Sequence, residues 1–359
     1  MTNTTESVTS EFSTIESHLV VVAYAIIAIL GILTNMIIFG LIVLRDNLRT
    51  ASNLLILNLA MSDILMAALS PVTLAALVSQ SWIYGTVLCK LLPFVQGIQI
   101  FVSSLTVSTI ALDRMLLITD CCLSKWRPGT STKSIILTTV VIWTLAISLS
   151  SPVIIAYHVE IGDPAIFGFD KCLTSRNRSY LIIYTGVILV VQFILPTITL
   201  VTSYSAINRF LAGHRSRDPS SNQADQVTTS FGTETENLAT PGGQLRRTLS
   251  GASHDKRDYH RNRRAVLTLM AIWLCFVISW SPWNILQVYI EILPNFDLSP
   301  RQFNRLYVIC HLMAMSSTVA NGILYGFLNT NIRAELILMR VRLTAFLINW
   351  NDHRSDQNV

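Results

Sequence analysis

Residues 17–44 read SHLVVVAYAIIAILGILTNMIIFGLIVL, without a charge until Arg45. Such a run supplies the roughly 20 apolar residues that cross a bilayer as one helix. Working outward, similar charge-free runs recur at 91–112, 134–159, 179–208, 265–290 and 306–332, and a seventh, 50–89, is broken only by Asp63. The pattern predicts an all-α membrane protein, a seven-transmembrane helix bundle with spans at about 19–44, 52–78, 87–118, 134–157, 180–210, 264–291 and 305–329.

Composition agrees. Of 359 residues, 51% are hydrophobic and only 13% charged, against about 25% charged in a soluble domain. So few charges cannot cover a soluble globule of this size, which excludes a cytosolic enzyme, a disordered chain and a nucleic-acid binder. Six cysteines exclude a disulfide-rich scaffold.

An odd number of spans puts the termini on opposite sides. Residues 1–18 hold Glu6, Glu11 and Glu16 and no Lys or Arg. With that tail outside, 20 of the 26 basic residues are cytoplasmic; Lys90, Lys171, Arg176, Arg178, Arg301 and Arg305 are the outer ones. The bias orients the N-terminus extracellularly, in a plasma-membrane protein. The tail lacks a basic and apolar signal-peptide pattern, so the first helix is expected to act as its own insertion signal. Sequons at Asn3 and Asn177 both fall outside and mark expected glycosylation.

Residues 211–263, rich in Ser, Thr, Gly, Asn and Arg, read as a disordered cytoplasmic loop. Arg246-Arg247-Thr248-Leu249-Ser250 within it resembles a kinase target, and kinases and arrestin are candidate partners there. Beyond the seventh span, 330–359 forms a cytoplasmic tail. Ile332, Leu336, Met339, Leu343, Leu347 and Trp350 recur every three or four residues with Arg333, Arg340 and Arg342 between them. This predicts a short amphipathic helix on the inner membrane surface, with lipid as its partner. No Cys follows Cys310 to carry a palmitate.

Ionisable groups at membrane depth are costly and mark function. Asp63 lies alone in mid-span two, and Asp113-Arg114 at the inner end of span three. No Lys lies mid-span, which excludes a retinal Schiff base. The histidines show no zinc spacing, and no phosphate loop or nucleophile constellation is present, so no catalysis and no cofactor are expected. Cys89 and Cys172 both face the oxidising side and are expected to pair. Cys121 and Cys122 are cytoplasmic; Cys275 and Cys310 read as packing residues.

In order along the chain stand Gly31 and Asn35; Leu57-Asn58-Leu59-Ala60 with Ser62-Asp63; Cys89 and Asp113-Arg114-Met115; Trp143 and Pro152; Pro196 and Tyr204; Phe276 with Ser279-Trp280-Ser281-Pro282; and Asn321-Gly322 with Tyr325. Together, over about 20–340, they resemble the rhodopsin-like (class A) G-protein-coupled receptors. Met115, Ser279 and Gly322 replace the usual Tyr, Cys and Pro. Cys89-Lys90-Leu91 with Pro93-Phe94-Val95-Gln96, Lys125-Trp126-Arg127-Pro128, and Cys310-His311-Leu312 leading to Tyr325-Gly326-Phe327-Leu328-Asn329 resemble the neuropeptide Y / neuropeptide F receptor branch.

The resemblance implies roles. Asp63 would hold an allosteric sodium ion with Ser103, Ser317, Asn321 and Trp280 around it; an unpaired buried carboxylate needs a cation or a proton. Asn58 is expected to accept from the Trp143 indole. Arg114 would pair with Asp113 at rest and, when released, meet a heterotrimeric G protein of the inhibitory class, supported by Tyr204 and Tyr325. The acid that usually locks this arginine is missing from Arg261-Asn262-Arg263-Arg264. Phe276 and Trp280 would be the pivot of span six, loosened by Pro282. Gly322 allows a kink without enforcing one, and Ser104 replaces an apolar residue in the triad with Pro196 and Phe276.

The expected outer pocket takes Gln96, Gln287, Glu291 and His311. Gln96 stands where amine receptors carry Asp, and its carboxamide suits a peptide C-terminal amide. Glu291 would hold a ligand arginine bidentately. The implied ligand is an extracellular amidated neuropeptide ending Arg-aromatic. A non-peptide or chemosensory ligand, a transporter and a signalling-silent scaffold are the alternatives.

Overall fold

The computed structural model describes residues 12–79, 81–119, 131–161, 170–174, 177–217, 244–292 and 298–356, with 51, 132, 211–217, 244–266, 300, 343, 347 and 349–356 as backbone only, so the side chains of Leu343, Leu347 and Trp350 are not described. Seven helices in it are long and apolar enough to cross a membrane: Thr14–Leu44, Ser52–Ser79, Gly85–Thr119, Lys133–Ala156, Arg178–Phe210, Leu267–Ile292 and Arg301–Leu328. They are called spans one to seven. Asn3, Cys121, Cys122, the 125–128 stretch and 218–243 fall outside the described residues, as do the side chains of 246–250 and 261–264.

Span three is the most buried and packs against spans two, four, five and six. The core around it joins Leu55, Leu59, Phe101, Val102, Ile142, Leu200 and Ile272. The outer surface is apolar as well, with Ile29, Ile198 and Ile285 exposed. A bundle in lipid has no reason to hide apolar groups from its surroundings.

Polar groups sew the spans together. Asn35 Nδ2 in span one donates to Gly31 O (2.8 Å) and to Thr318 O in span seven (2.9 Å). Trp143 Nε1 donates to Asn58 Oδ1 (2.6 Å), as expected, and Asn58 Nδ2 donates to Thr106 Oγ1 (3.0 Å). Spans two, three and four thus meet at one carboxamide.

Several boundaries differ from expectation. Span one begins at Thr14, not 19, because Ser13 and Glu16 form a capping box that satisfies the first amide groups. Phe12 ahead of it is buried against Tyr24 and Val308, so the end of the N-terminal tail is tied down. The stretch read as a disordered loop, 211–263, is helical at both ends: the fifth-span helix runs to Arg217 and the sixth starts at Gln244.

The helix after span seven, Thr330–Asp356, has 27 residues and is longer than the short one expected. It contains no Gly or Pro to end it. Ile332 is fully buried and Leu336 packs on the core, while Met339, Val341 and Phe346 are exposed. Glu335 fastens its start to the first inner connection, accepting from Asn47 Nδ2 (2.9 Å) and pairing with Arg45 Nε (3.4 Å).

Span five contains a π-helical turn, Val190–Ile194. Pro196 lacks the N–H that would bond the Gln192 carbonyl, and the helix widens there.

Candidate functional site

The outer mouth is built from a hairpin. Strands β1 (Tyr157–Glu160) and β2 (Lys171–Thr174) pair antiparallel with Val159 opposite Cys172. The expected disulfide joins Cys172 to Cys89 at the start of span three, with Cα atoms 5.7 Å apart. Trp82 N donates to Asp170 O (2.7 Å) and Trp82 Nε1 to Gly85 O (2.8 Å). The hairpin is therefore pinned over the bundle.

Beneath it lies a cavity of about 270 Å³, near the lower end for small-ligand sites. Gln96 and Asn304 supply uncharged polar groups, Asp170 and Lys171 charged ones, and Trp82, Trp283 and Tyr307 aromatic walls. Of the four expected pocket residues, only Gln96 lines this cavity. Gln287 is half-buried on span six and outside it.

His311 does not face the cavity. It is 2% exposed, shares a 2.6 Å hydrogen bond with the Tyr24 hydroxyl through Nδ1, and stacks on Tyr24 and Tyr307 with an edge contact to Trp283. It touches the cavity only through the walls formed by Tyr307 and Trp283. The sequence places it on span seven without saying which neighbour its ring meets.

Glu291 is half-buried at the outer end of span six. Its Oε1 accepts from Thr185 Oγ1 (2.7 Å), and its backbone oxygen accepts from Arg178 Nε (2.5 Å). Tyr157, which lines the cavity, is within its electrostatic reach: burial and the Glu291 carboxylate push the Tyr157 phenol up to about 12.

At mid-depth, Asp63 is fully buried. Gln99 Nε2 donates to its Oδ1 (3.0 Å) and Asn321 Nδ2 to its Oδ2 (3.0 Å). Gln99 Nε2 also reaches Ser103 Oγ (3.1 Å), and Gln99 Oε1 is buried without a partner. Ser317 touches Trp280, accepting from its Nε1 at 3.0 Å. Of the residues expected around Asp63, Asn321 bonds it directly and Ser103 meets it only through Gln99; Gln99 was missed, although it lies one helical turn before Ser103. Gln192 was missed too. It is fully buried in the π turn with both carboxamide atoms unpartnered.

Lower down, the Phe276 and Trp280 rings stand 6.0 Å apart. Around Pro282, whose missing N–H would have bonded the Ile278 carbonyl, Ser281 Oγ donates to Val277 O (2.6 Å) and Asn284 Nδ2 to Trp280 O (2.8 Å), and the helix continues to Ile292. At the inner end Asp113 is buried, and Arg114 Nη2 donates to Ser52 Oγ (2.6 Å). Tyr325 is buried with its hydroxyl unpartnered, and Tyr204 is half-buried. Asn177 caps the fifth-span helix, its Oδ1 accepting from Tyr180 N (3.3 Å).

The sequence pattern of the 7 transmembrane receptor (rhodopsin family) matches residues 34–325. The chain is 28% identical to the neuropeptide F receptor of Drosophila melanogaster over 95% of its length and 66% of that receptor's. It is 27% identical to the neuropeptide Y receptor type 5 of Rattus norvegicus, covering 87% of each. It is also 27% identical to the neuropeptide Y receptor type 2 of Bos taurus, covering 88% of this chain and 74% of the other. With seven spans, the disulfide at the mouth and the pattern matched across most of its length, the chain belongs to the rhodopsin family of seven-transmembrane receptors, multi-pass plasma-membrane proteins that are not enzymes.

Proposed function

We propose that this receptor, with its N-terminus outside, binds an amidated neuropeptide ending Arg-aromatic and passes the signal to a heterotrimeric G protein of the inhibitory class. The observation that carries the reading is a pair of polar groups at the same end of the bundle: Gln96 inside the cavity and the Glu291 carboxylate at the end of span six. A carboxamide suits a terminal amide, and a carboxylate takes a guanidinium bidentately. Gln287 and His311 shape the surroundings, His311 from behind the aromatic wall. The names of the relatives support a peptide ligand.

Binding shifts a pre-existing equilibrium toward an open inner face. Trp280 and Phe276 turn with span six about Pro282, Arg114 leaves its resting contacts, and Tyr204, Asn321 and Tyr325 stabilise the open form. Kinases and arrestin meet the 211–263 region, lipid meets the tail helix, and glycans sit on Asn3 and Asn177. A small monovalent cation at Asp63 is supported by two oxygen donors, the carboxylate and the orphaned Gln99 Oε1; it would displace the Gln99 and Asn321 N–H groups now on the carboxylate oxygens, with Ser103 and Ser317 as the further expected donors. When bound, sodium supplies the positive charge that a buried carboxylate lacks.

The test is a library of amidated peptides applied to cells displaying the receptor, with cAMP and calcium read out. Response to Arg-aromatic-amide peptides, abolished by Glu291→Arg with display intact, is expected. Silence toward every such peptide overturns the reading. The small cavity, which neither Gln287 nor Glu291 lines, favours a compact non-peptide ligand as the second reading.

A further inference from the structure

The outer ends of spans five and six are clasped at a single residue. Thr185 Oγ1 donates to the Glu291 carboxylate (2.7 Å), and Arg178, at the start of the same helix, donates through Nε to the Glu291 backbone oxygen (2.5 Å). Thr185 is buried. Among the described residues, Thr185 is the side chain that hydrogen-bonds this carboxylate. Without ligand, the acid is therefore engaged from within the protein.

We infer that Thr185 and Arg178 decide which ligand groups can use Glu291; the inference rests on the reading of Glu291 as the ligand acid. A ligand group must displace the Thr185 hydroxyl before it takes up the carboxylate. A guanidinium exchanges one neutral donor for two charge-assisted ones, so the exchange is favourable. A neutral ureido group exchanges like for like and gains nothing. Arg178 holds its guanidinium on the backbone oxygen of the same residue. That positive charge opposes a cationic ligand group and leaves a neutral one unaffected. Thr185 and Arg178 act through Glu291 and are positioning residues.

The experiment uses the full-length receptor in cell membranes, with display checked by surface staining. Three synthetic peptides serve as probes, identical except for Arg, Lys or citrulline before a C-terminal Phe-amide, and their affinities are read by competition. Thr185→Val frees the carboxylate and is expected to tighten the Arg and the citrulline peptides alike, by about three- to tenfold, the worth of one hydrogen bond. Thr185→Ser is expected to keep the wild-type pattern, and Arg178→Gln to tighten the Arg and Lys peptides while leaving the citrulline peptide unchanged. Thr185→Ala replaces the valine variant if that one is not displayed.

Arg-peptide affinity that is unchanged or weaker in the displayed Thr185→Val or Thr185→Ala variant overturns the inference. Glu291→Gln separates the two levels. If it brings the Arg peptide down to the citrulline peptide while the Thr185 variants do nothing, only this inference falls. If Glu291→Gln leaves the Arg peptide untouched, or no probe binds the wild type, the reading of Glu291 falls with it.

Discussion

Gly322 in span seven lies directly against Thr34 in span one. A β-carbon on Gly322 would stand 2.6 Å from Thr34 Oγ1, 2.7 Å from Thr34 Cβ and 3.2 Å from the Thr34 carbonyl carbon. No side chain fits there without moving one helix, so the glycine sets how closely the two spans approach. The family resemblance puts Pro at this position, and from sequence alone the glycine reads as a loosened hinge. In the structure it is also a contact surface. Gly322→Ala is expected to destabilise the receptor by about 1–3 kcal/mol through overpacking. Gly322→Pro, which restores the family residue, is expected to cost more. Thermal unfolding in detergent checks both; a proline variant as stable as the wild type contradicts the contact role.

Ser52 is the second site of interest, because Arg114 donates to it from the inner end of span three. Removing that acceptor removes one restraint on the arginine. Ser52→Ala is expected to raise ligand-independent G-protein activation severalfold, in line with a bond to a charged group of about 1.5–3 kcal/mol that is partly replaced by water. Nucleotide exchange in membranes without agonist measures it. Basal exchange equal to or below the wild type speaks against a resting role for this bond.

Asp63 accepts from two carboxamides at once. Asp63→Asn keeps the shape but turns one acceptor into a donor, leaving Gln99 or Asn321 with an unmatched N–H. A loss of about 1–3 kcal/mol is expected from that alone. If a cation sits at this carboxylate, sodium chloride lowers agonist affinity in the wild type relative to an organic cation salt, and the asparagine variant shows no such difference. Sodium-independent binding in the wild type removes the ion from the account.

At the outer tail, two kinds of contact can be ranked. Phe12 is buried at 3% exposure, whereas Glu16 pairs with Arg301 and Arg305 at the solvent edge. Exposed ion pairs contribute little to stability, while emptying a buried phenyl site costs about 3–5 kcal/mol in a closed core. Phe12→Ala is expected to lower the unfolding temperature clearly, and Glu16→Gln to leave it nearly unchanged. The reverse order in a thermal-shift series contradicts the ranking.

What was legible in the sequence follows from the solvent. In a bilayer the backbone must bond to itself, so each charge-free run becomes a helix and Arg45, Lys133 and Arg178 mark span ends. The pairs Cys89–Cys172 and Trp143–Asn58 were legible because a thiol on the oxidising side and a buried indole each need one kind of partner. Boundaries were missed where local capping or a missing stop signal decides them, as at Ser13 and in the 27-residue tail helix.

The ligand side was legible only in part. Gln96 reached the cavity, but His311 turned to Tyr24, and Glu291 was found already engaged by Thr185. Gln99 and Gln192 gave no signal beyond being uncharged polar residues in apolar runs, yet one joins the buried carboxylate and the other sits in a π turn.

The sequence by itself determined the seven spans, their order, and the family they belong to, because burial in lipid acts residue by residue along the chain. Beyond pairs such as Trp143–Asn58, which helix faces touch was decided by the tertiary structure. The close approach at Gly322, the clasp at Glu291 and the carboxamides around Asp63 depend on the rotation and spacing of helices far apart in sequence, and those are set only when the whole bundle packs.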